Sequence, residues 1–351
     1  MGSGQVKKGY ARPLDIKHGR VDMSHGGGGR AMVQLITDLF AKHLANEYLA
    51  QGNDGTCLPQ GEGRLVVSTD SHVVSPLFFP GGDIGGLSVH GTVNDVAMMG
   101  ATPLYLTAGF ILEEGFPLAD LARIVESMAK AAKDAGVKLV AGDTKVVEQG
   151  KGDGVFITTT GIGFLPDGIH LSGDLAQPGD VLLVSGSVGD HGMAIMSKRE
   201  NLSFDAPILS DSAALNSLTA AMLASGATIR VMRDPTRGGL AATLNEIAHQ
   251  SGVGIHLEEA AIPVKPEVDA ACELLGLDPL NIANEGKLIA VCAAEDAETL
   301  LAAMRAHPQG QQAAVIGKVV EDPHGFVQMK TKFGGRRMVD WLSGEQLPRI
   351  C

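Results

Sequence analysis

Residues 137–163 read VKLVAGDTKVVEQGKGDGVFITTTGIG, and this stretch indicates the fold class. It holds two runs of apolar and β-branched residues, 137–141 and 155–163, on either side of a polar connection rich in glycine. Such runs are typical of buried strands. The preceding residues, 118–135, carry apolar side chains at helical spacing and are followed by Gly136, a frequent residue at a helix end. A helix followed by two strands indicates a mixed α and β fold.

The same patterns extend toward the amino terminus. Residues 64–74 and 105–112 are predicted to be strands, and residues 87–99 a helix. Residues 1–24 are polar and basic, which predicts a flexible arm. A further helix is predicted over 30–50, with one apolar face formed by Leu35, Ile36, Leu39, Phe40 and Leu44.

Toward the carboxyl terminus, residues 165–180 are rich in turn formers and predict a boundary between two domains. A chain of 351 residues also exceeds the roughly 250–300 residues at which a single core stops growing. We therefore expect an N-terminal domain over 25–166, a C-terminal domain over 178–340 and a mobile tail over 341–351. In the second domain the pattern predicts strands at 181–186, 254–258, 287–293 and 313–319 and helices at 211–225, 239–250, 266–275 and 295–306.

The composition excludes several classes of function. Lys and Arg number 28 against 40 Asp and Glu, and the net charge of −12 argues against binding to a nucleic acid backbone. No apolar run approaches the ~18 residues of a membrane span, and the first residues lack the apolar core of a secretion signal. Four cysteines are too few and too far apart for a disulfide framework. We expect a cytoplasmic protein with reduced thiols.

Four consecutive glycines precede the predicted helix that begins at Arg30, namely Gly26, Gly27, Gly28 and Gly29. Glycines allow several backbone N–H groups to converge on an anion, and the start of a helix adds partial positive charge. A flexible linker is the alternative, although linkers rarely adjoin a helix start. The cluster therefore predicts a phosphate-binding loop. The common nucleotide-binding motif GxxxxGK[ST] is absent.

Three acidic residues interrupt or follow apolar runs, at places that resemble junctions between elements. They are Asp70 in STDS, Asp95 in GTVNDVAMMG and Asp143 in AGDTKVV. A carboxylate in such a place must be capped, paired or bound to a cation. Helix capping or turn formation would explain any one of them. Together with the glycine loop, the three favour a site in which Mg²⁺ bridges carboxylates and nucleotide phosphates.

The final residue, Cys351, ends a polar segment, and its position indicates an exposed thiol. Prenylation is excluded, because it requires a cysteine four residues from the end. An exposed thiol is partly a nucleophilic thiolate at neutral pH. Incidental placement is the alternative reading. The pattern favours a carrier group on a tether.

Three further turns adjoin predicted elements in the second half. They contain Asp190 in GDHG, Asp234 in DPTRGG and Glu285 in NEGK. Each turn is typical of an ordinary connection, and a satisfied helix cap explains Asp190 or Asp234 when either is taken alone.

Taken in order, these motifs resemble the HypE family of hydrogenase maturation proteins, within the PurM-like superfamily of aminoimidazole ribonucleotide synthetases. The motifs are HGGGG, STDS, Asn94-Asp95, GDTKVV, GDHG, DPTRGG, NEGK and the terminal PRIC. The resemblance extends from His25 to Cys351, and the pair GDTKVV and PRIC is its most specific part. Gly27 departs from the family, which has a small hydroxyl residue there. Gly27 lacks the side chain that would contact phosphate in the family, whereas the backbone N–H groups of the loop are unaffected.

The resemblance implies a PurM-like α+β fold with two domains of the α/β type. The N-terminal domain would form a β-barrel with its twin in a homodimer, and a C-terminal α+β sandwich would cover the nucleotide. It also implies ATP and Mg²⁺ as cofactors. The implied partners are a HypF-type carbamoyltransferase and the HypC–HypD iron-carrying complex, with no nucleic acid and no membrane.

The implied reaction is an ATP-dependent dehydration. The carbamoyltransferase loads Cys351, and ATP then converts the S-carboxamide to an S-cyanide, releasing ADP and phosphate and supplying cyanide for the iron of [NiFe] hydrogenase. By resemblance and residue type, Lys145 and Glu285 are candidate bases for the protons on nitrogen. As a base Lys145 would have to be neutral, which requires a desolvated site. The implied ATP-binding residues are Gly26, Gly27, Gly28, Gly29, Asp70, Asn94, Asp95 and Asp143, of which Asp70, Asp95 and Asp143 would hold Mg²⁺.

Two other functions fit parts of the pattern. A PurM-like synthetase or kinase such as selenophosphate synthetase would share the glycine loop and the acids. It should carry a reactive cysteine near that loop, yet no cysteine precedes Cys57. A non-enzymatic carrier would use Cys351 alone and would need neither the loop nor the acids. ATP hydrolysis separates the carrier from the enzymes.

Overall fold

A four-stranded sheet organises the first half of the chain in this computed structural model, which describes residues 14–51, 53, 55–202, 207–342 and 349–351. The strand order is β1-β6-β4-β5, in which β4 and β5 are parallel and the other neighbours antiparallel. In chain order the elements are α1 (Arg30–Leu35), a π-helical turn (Ile36–Phe40), α2 (Ala41–Leu44), β1 (Arg64–His72), β2 (Phe78–Phe79), β3 (Gly82–Asp83), α3 (Ile84–Met98), β4 (Thr102–Glu113), α4 (Leu118–Ala135), β5 (Lys138–Val147) and β6 (Val155–Leu165).

Helices α3 and α4 cover one face of this sheet. The predicted helix over 118–135 is confirmed: its apolar stripe is buried, and Gly136 ends it with a φ of 72°. Helix α3 is buried on nearly all sides. A β carbon on Gly85 would overlap the carbonyl oxygen of Ile124, so glycine allows α3 to approach α4 closely.

The other face of the sheet is open. Leu65 and Val67 on the edge strand β1 are 62% and 58% exposed, and Ile111 on β4 also faces outward. Within the described residues the sheet does not close on itself. The barrel that the resemblance implies is therefore not formed by one chain.

A seven-stranded sheet organises the second half, in the order β13-β12-β9-β11-β7-β10-β8. Neighbouring strands are antiparallel except β12 and β9, which are parallel. Its elements are β7 (Val181–Val184), α5 (Asp190–Arg199), α6 (Asn216–Ala224), β8 (Ile229–Arg233), α7 (Gly239–Ser251), β9 (Gly254–Glu258), α8 (Pro266–Leu275), β10 (Ile289–Cys292), α9 (Ala297–Ala306), β11 (Ala314–Val320), β12 (Val327–Lys330) and β13 (Arg336–Met338). The two halves are both mixtures of helix and strand, as the sequence predicts.

Several boundaries differ from the sequence predictions. The helix predicted over 211–225 begins at Asn216, because the residues before it form an irregular connection in which the N–H of Leu215 is bonded to Asn94 Oδ1. Strand β5 continues to Val147, so the GDTKVV motif lies inside a strand. Strands β8, β12 and β13 were not expected. Among the described residues, no helix combines the length and apolarity needed to cross a membrane.

The described part of the predicted flexible arm is ordered. Val21 is buried in the core, and Arg20 pairs with Pro117 in an isolated β-bridge. The prediction is therefore wrong for residues 14–24, while residues 1–13 lie outside the described residues. The helix predicted over 30–50 is interrupted by the π-helical turn and ends at Leu44. This change in winding leaves Ile36 41% exposed instead of inside the apolar face.

Candidate active site

Strand β1 and helix α3 bring two of the predicted acids together. Alternation along β1 directs Ser68, Asp70 and His72 toward α3, because successive side chains of a strand point to opposite faces. Ser68 Oγ donates to Asp95 Oδ2 at 2.7 Å. Desolvation raises the pKa of Asp95, and repulsion by Asp70 adds to this. The two carboxylates thus belong to one electrostatic cluster.

The third acid, Asp143, does not join them in one chain. It lies on β5, at the opposite edge of the sheet from β1, and it pairs there with Lys145 at 2.5 Å. The prediction that all three acids lie at junctions is also wrong: Asp70 and Asp143 are inside strands, and Asp95 is inside α3. Regular elements, not turns, carry these side chains.

Asp234 belongs to the same cluster, although its sequence context suggested a helix cap. It follows strand β8 directly. Desolvation raises the pKa of Asp234 to about 7, and repulsion by Asp95 contributes. Carboxylates held close together in a desolvated site favour binding of a cation or a proton, because either one reduces their repulsion. Sequence reasoning missed this residue because its partners are distant along the chain.

Glu285 is 3% exposed and supplies another carboxyl group to the cluster. Burial raises its pKa well above the ordinary value, and repulsion by Asp234 adds to the shift. Its Oε1 is buried and has no hydrogen-bond partner among the described residues. A β carbon on Gly91 would lie within 4 Å of both Glu285 Oε2 and Asp70 Oδ2. The two carboxyl groups therefore flank a space that glycine leaves open.

His72 lies beside these acids, at the inner end of β1. Its Nε2 is 3.9 Å from Asp70 Oδ2 and 3.4 Å from Thr159 Oγ1. Burial lowers the pKa of His72, so the ring is neutral at physiological pH. A neutral imidazole adds no positive charge to the cluster.

The end of the chain docks next to this cluster. Backbone N–H groups of Val73 and Ser75 donate to the carbonyl oxygens of Cys351 and Arg349, each at 3.1 Å. Ile350 is 3% exposed. Residues 349–351 pair with an extended segment of the first half, and Cys351 is half-buried, so the expectation of a fully exposed thiol is wrong in this arrangement. The mobility of the tail stays a prediction. Residues 343–348 of the predicted tail lie outside the described residues.

Arg237 adjoins both the docked thiol and the acid cluster. Its Nη2 lies 3.3 Å from Asp70 Oδ1, and its side chain lines the same cavity as Cys351. The charge of Cys351, followed by that of Asp70, raises the pKa of Arg237. Burial raises the pKa of the Cys351 thiol, repulsion by Glu285 adds to this, and Arg237 opposes it.

Arg237 was not among the predicted site residues. The available signal was its motif, DPTRGG, in which one cation stands among turn formers directly before a predicted helix. Gly238 and Gly239 follow with φ of 76° and 61°, a conformation that favours glycine. The two glycines allow α7 to begin immediately after Arg237, whose side chain is directed at the site.

Asn94 lies next to the cluster, but its side-chain amide is hydrogen-bonded to backbone groups of the second half. Its Nδ2 donates to the carbonyl oxygens of Ala213 and Glu285, and its Oδ1 accepts from the N–H of Leu215. A direct bond to ATP, which the resemblance implies, would require breaking these bonds. In the structure Asn94 links α3 to the second half.

The glycine loop lies at the other edge of the sheet, against β5. Two hydrogen bonds stabilise the start of the loop. Asp22 Oδ1 accepts from the N–H of Ser24, and His25 Nδ1 accepts from the N–H of Asp22. A β carbon on Gly26 would press on Val146, and Gly28 has a φ of 73°. Gly26, Gly27, Gly28 and Gly29 thus share this edge with Asp143 and Lys145. The exposed, ion-paired Lys145 lacks the desolvation that a neutral lysine needs.

The residues present fit Mg²⁺ only in part. Within the described chain, no three His, Cys, Asp or Glu side chains converge closely enough to enclose a metal ion. Mg²⁺ is commonly held by one or two carboxylates together with substrate phosphates and waters. The clustered Asp70 and Asp95, whose repulsion raises the pKa of Asp95, suit that mode.

Comparison with protein families matches both halves of the chain. Residues 52–165 match the N-terminal domain, and residues 177–330 the C-terminal domain, of AIR synthase related proteins. Carbamoyl dehydratase HypE of Cupriavidus necator is 69% identical over 99% of this chain and 100% of its own length. Carbamoyl dehydratase HypE of Escherichia coli is 48% identical over 94% of this chain and 99% of its own.

Solved structures give the same result. A crystal structure of hydrogenase maturation protein HypE in complex with ATP has a TM-score of 0.91 at 52% identity, covering 94% of this chain and 99% of that one. A HypE–HypF complex has a TM-score of 0.78 at 52% identity, covering 88% and 99%. A thiamine-monophosphate kinase from Stenotrophomonas maltophilia, at 22% identity and a TM-score of 0.63, shares the fold. These likenesses favour the HypE assignment over the selenophosphate synthetase alternative.

Proposed function

The chain belongs to the HypE family of carbamoyl dehydratases, and we propose that it carries the reacting carbamoyl group on the docked thiol of Cys351. It is an ATP-using enzyme of hydrogenase maturation. The single observation that supports the assignment of the thiol is its position, docked by backbone bonds in a cavity that Arg237 also lines, beside the acid cluster. A carrier without catalysis would not need that surrounding acid cluster.

The chemistry proceeds in two steps that balance. The carbamoyl oxygen of Cys351–S–C(=O)–NH₂ attacks the γ-phosphorus of ATP, ADP leaves, and nitrogen loses one proton. The C–O bond to phosphate then breaks, nitrogen loses its second proton, and a C≡N bond forms. Phosphorylation is needed because an amide oxygen is a poor leaving group. The sum is thiocyanate, ADP and phosphate from S-carboxamide and ATP.

Glu285 takes the role of a base in this proposal. Its unpartnered, buried Oε1 and its raised pKa support uptake of a proton from nitrogen. Arg237 stabilises the negative charge that develops on the carbamoyl oxygen and phosphate. Its charge also opposes the upward shift in the pKa of Glu285.

Asp70 and Asp95 would hold the Mg²⁺ that accompanies ATP, with Asp234 beside them. When bound, the ion neutralises charge on the phosphates. Repulsion among these carboxylates supports the assignment, because a cation relieves it. Ser68 orients Asp95 through its hydrogen bond.

The thiol receives its carbamoyl group in a different state of the tail, in which residues 349–351 are undocked. Burial raises the pKa of the docked thiol and so suppresses the nucleophilic thiolate. We therefore place carbamoyl transfer from a HypF-type partner, and cyanide delivery to a HypC–HypD complex, in an undocked state. A solved HypE–HypF complex supports the first partner. A carrier thiol also requires a reducing compartment, which favours the cytoplasm.

A homodimer would complete the site. The glycine loop, Asp143 and Lys145 lie at the β5 edge, whereas Asp70 and Cys351 lie at the β1 edge. Three strand spacings, roughly 14 Å, separate the edges, which exceeds the reach of a lysine side chain. A barrel of two sheets would bring the β5 edge of one copy beside the β1 edge of the other. The exposed Leu65 and Val67 support such a contact. Lys145 would then be desolvated and act in trans as a base.

Mass spectrometry of the carboxyl-terminal peptide tests the function. The protein is loaded with a carbamoyl group and incubated with Mg·ATP or without nucleotide. We expect the peptide to lose one water in the presence of ATP only, with one ADP released per peptide converted. Matched Cys351→Ser protein should carry no group. Hydrolysis of ATP without change in the loaded peptide would contradict the proposal.

A further inference from the structure

Helix α5 holds the docked end of the chain with a histidine. His191, in the first turn of α5, is buried, and its Nε2 lies 2.8 Å from the carbonyl oxygen of Ile350. We propose that His191 is a positioning residue that fixes the register of the docked tail and thereby places the Cys351 thiol at the reaction site. The inference rests on the proposed role of Cys351 as the carrier.

The hydrogen bonds around the ring determine its tautomer. A carbonyl oxygen only accepts, so Nε2 must carry the proton that bonds to Ile350. Burial lowers the pKa of His191, so the ring is neutral and Nδ1 is an acceptor. Ser210 Oγ lies 2.8 Å from Nδ1 and itself accepts from the N–H of Ser212 at 3.1 Å. The serine therefore stabilises the tautomer that holds the tail.

The segment carrying Glu285 is attached to the same helix. The N–H of Gly189 donates to Asn284 Oδ1 at 2.7 Å, and the N–H of Gly192 donates to the carbonyl oxygen of Ala283 at 3.0 Å. These bonds lie on either side of His191 along the chain. The hydrogen bond between His191 and the tail therefore also holds the tail in place relative to Glu285.

A second connection runs through the residues that contact the ring. Asp211, between Ser210 and Ser212, accepts from the N–H of Glu285 at 3.1 Å through Oδ1. Its Oδ2 pairs with Lys287 at 3.0 Å. Consecutive residues therefore orient the histidine and the proposed base.

The backbone pairing of the tail does not fix its register without help. The two bonds from Val73 and Ser75 are spaced two residues apart, as in an antiparallel strand pair, and a shift of two residues would move the thiol by about 6.6 Å. Arg349 opposes such a shift, because it has a φ of 56° and its side chain pairs with Asp153 at 2.8 Å. Burial of Ile350 opposes the shift through packing, and the directional bond from His191 opposes it through geometry.

Alkylation of the thiol measures docking independently of turnover. All proteins carry Cys57→Ala, because Cys57 is exposed, whereas Cys272 and Cys292 are buried. Iodoacetamide labelling is followed on the carboxyl-terminal peptide by mass spectrometry. We compare His191→Phe, which loses the donor, with His191→Gln, which keeps an N–H near Nε2. The matched control is His90→Gln, since His90 bonds to Ser212 Oγ at 2.9 Å and does not contact the tail.

We expect His191→Phe to be alkylated about tenfold faster, the effect of losing one buried hydrogen bond. His191→Gln should recover most of the protection, and His90→Gln should match the parent. The loaded His191→Phe protein should have a lower kcat for dehydration with an unchanged KM for ATP.

Parent-like alkylation of His191→Phe, or an equal increase in His90→Gln, would overturn the inference. If His191→Phe does not fold, Ser210→Ala should raise alkylation to an intermediate extent, and no increase would equally overturn it. If the loaded parent is not dehydrated by Mg·ATP, the proposed function fails, and the alkylation rates still decide whether His191 holds the tail.

Discussion

The amide nitrogen of Asn94 donates to the backbone carbonyl oxygen of Glu285 at 3.3 Å, joining α3 directly to the segment that carries the buried carboxyl group. The same nitrogen donates to the carbonyl oxygen of Ala213 at 3.0 Å, and Oδ1 accepts from the N–H of Leu215 at 2.7 Å. All three partners are backbone groups of the second half. One side chain therefore fixes the distance between the two halves at the site.

Replacement of Asn94 by alanine should lower both stability and turnover. The N–H of Leu215 and the carbonyl oxygen of Ala213 would lose this partner, at about 1–3 kcal/mol for a buried group, whereas the carbonyl oxygen of Glu285 keeps the N–H of Ala213 at 3.4 Å. The control is Asn245→Ala, because Asn245 is also buried and bonds to the carbonyl oxygens of Ala241 and Val339, inside the second half. We expect urea unfolding to show a loss in both variants, and dehydration at a temperature where both are folded to fall in Asn94→Ala only. Equal activity in the two would contradict the linking role.

Replacement of Asp95 by asparagine should stop dehydration after loading. The variant keeps the size of the side chain and removes the charge that would face Mg²⁺. Loaded Cys351 should accumulate, as followed on the carboxyl-terminal peptide. Ser68→Ala, which removes only the hydrogen bond to Asp95, should have a smaller effect. Normal cyanide formation by Asp95→Asn under saturating Mg·ATP would exclude a role for that charge.

Replacement of Arg237 by glutamine should lower the rate of dehydration by about 10²–10³-fold, the usual effect of losing a donor to developing negative charge. ATP binding, measured by calorimetry, should change little, because the charge that Arg237 stabilises on the carbamoyl oxygen and phosphate develops only during the reaction. Arg237→Lys should recover part of the rate through its charge. A weaker affinity for ATP with an unchanged rate would instead place Arg237 at the nucleotide.

Much of the fold follows from local sequence signals. The helix over 118–135 is readable because its apolar spacing, and the glycine after it, lie within one segment. The strands of the first sheet are readable from their β-branched runs. The π-helical turn that interrupts the helix after Leu35 cannot be predicted from local sequence, because it depends on how Leu39 and Phe40 pack into the core.

The site could be predicted only where single residues carry the signal. Asp70, Asp95 and Glu285 lie in one cluster, whereas Asp143 and Lys145 lie at the other edge of the sheet, and the roles that the resemblance gives them stay predictions. Docking of the last residues was missed because their partners, Val73 and Ser75, are some 275 residues away in sequence. A polar tail gives no local sign of a partner that only the folded chain creates.

Asp234 gives a prediction about pH. Its pKa in the folded protein is about 7, above the unfolded value of about 3.9, so the native state binds more protons between these values. Stability contributed by this group is present at low pH and is lost as pH rises toward 7 and beyond. Asp234→Asn should therefore raise the Tm relative to the parent at pH 8 and leave it nearly unchanged at pH 4. A constant difference at both pH values would contradict the shifted pKa.

Lys145 and Cys351 give the sharpest test of a shared site, because they lie at opposite edges of one sheet. We expect Lys145→Ala and Cys351→Ala to be inactive alone. Co-folded, they should recover about a quarter of the parent rate, since half of randomly paired C₂ dimers are mixed and each mixed dimer holds one complete site. Tagged mixed dimers, purified through two affinity steps and assayed on the carboxyl-terminal peptide, should reach about half of the parent rate. If Lys145 acts within its own chain, every mixed dimer lacks a complete site, and its activity stays at that of the separate variants.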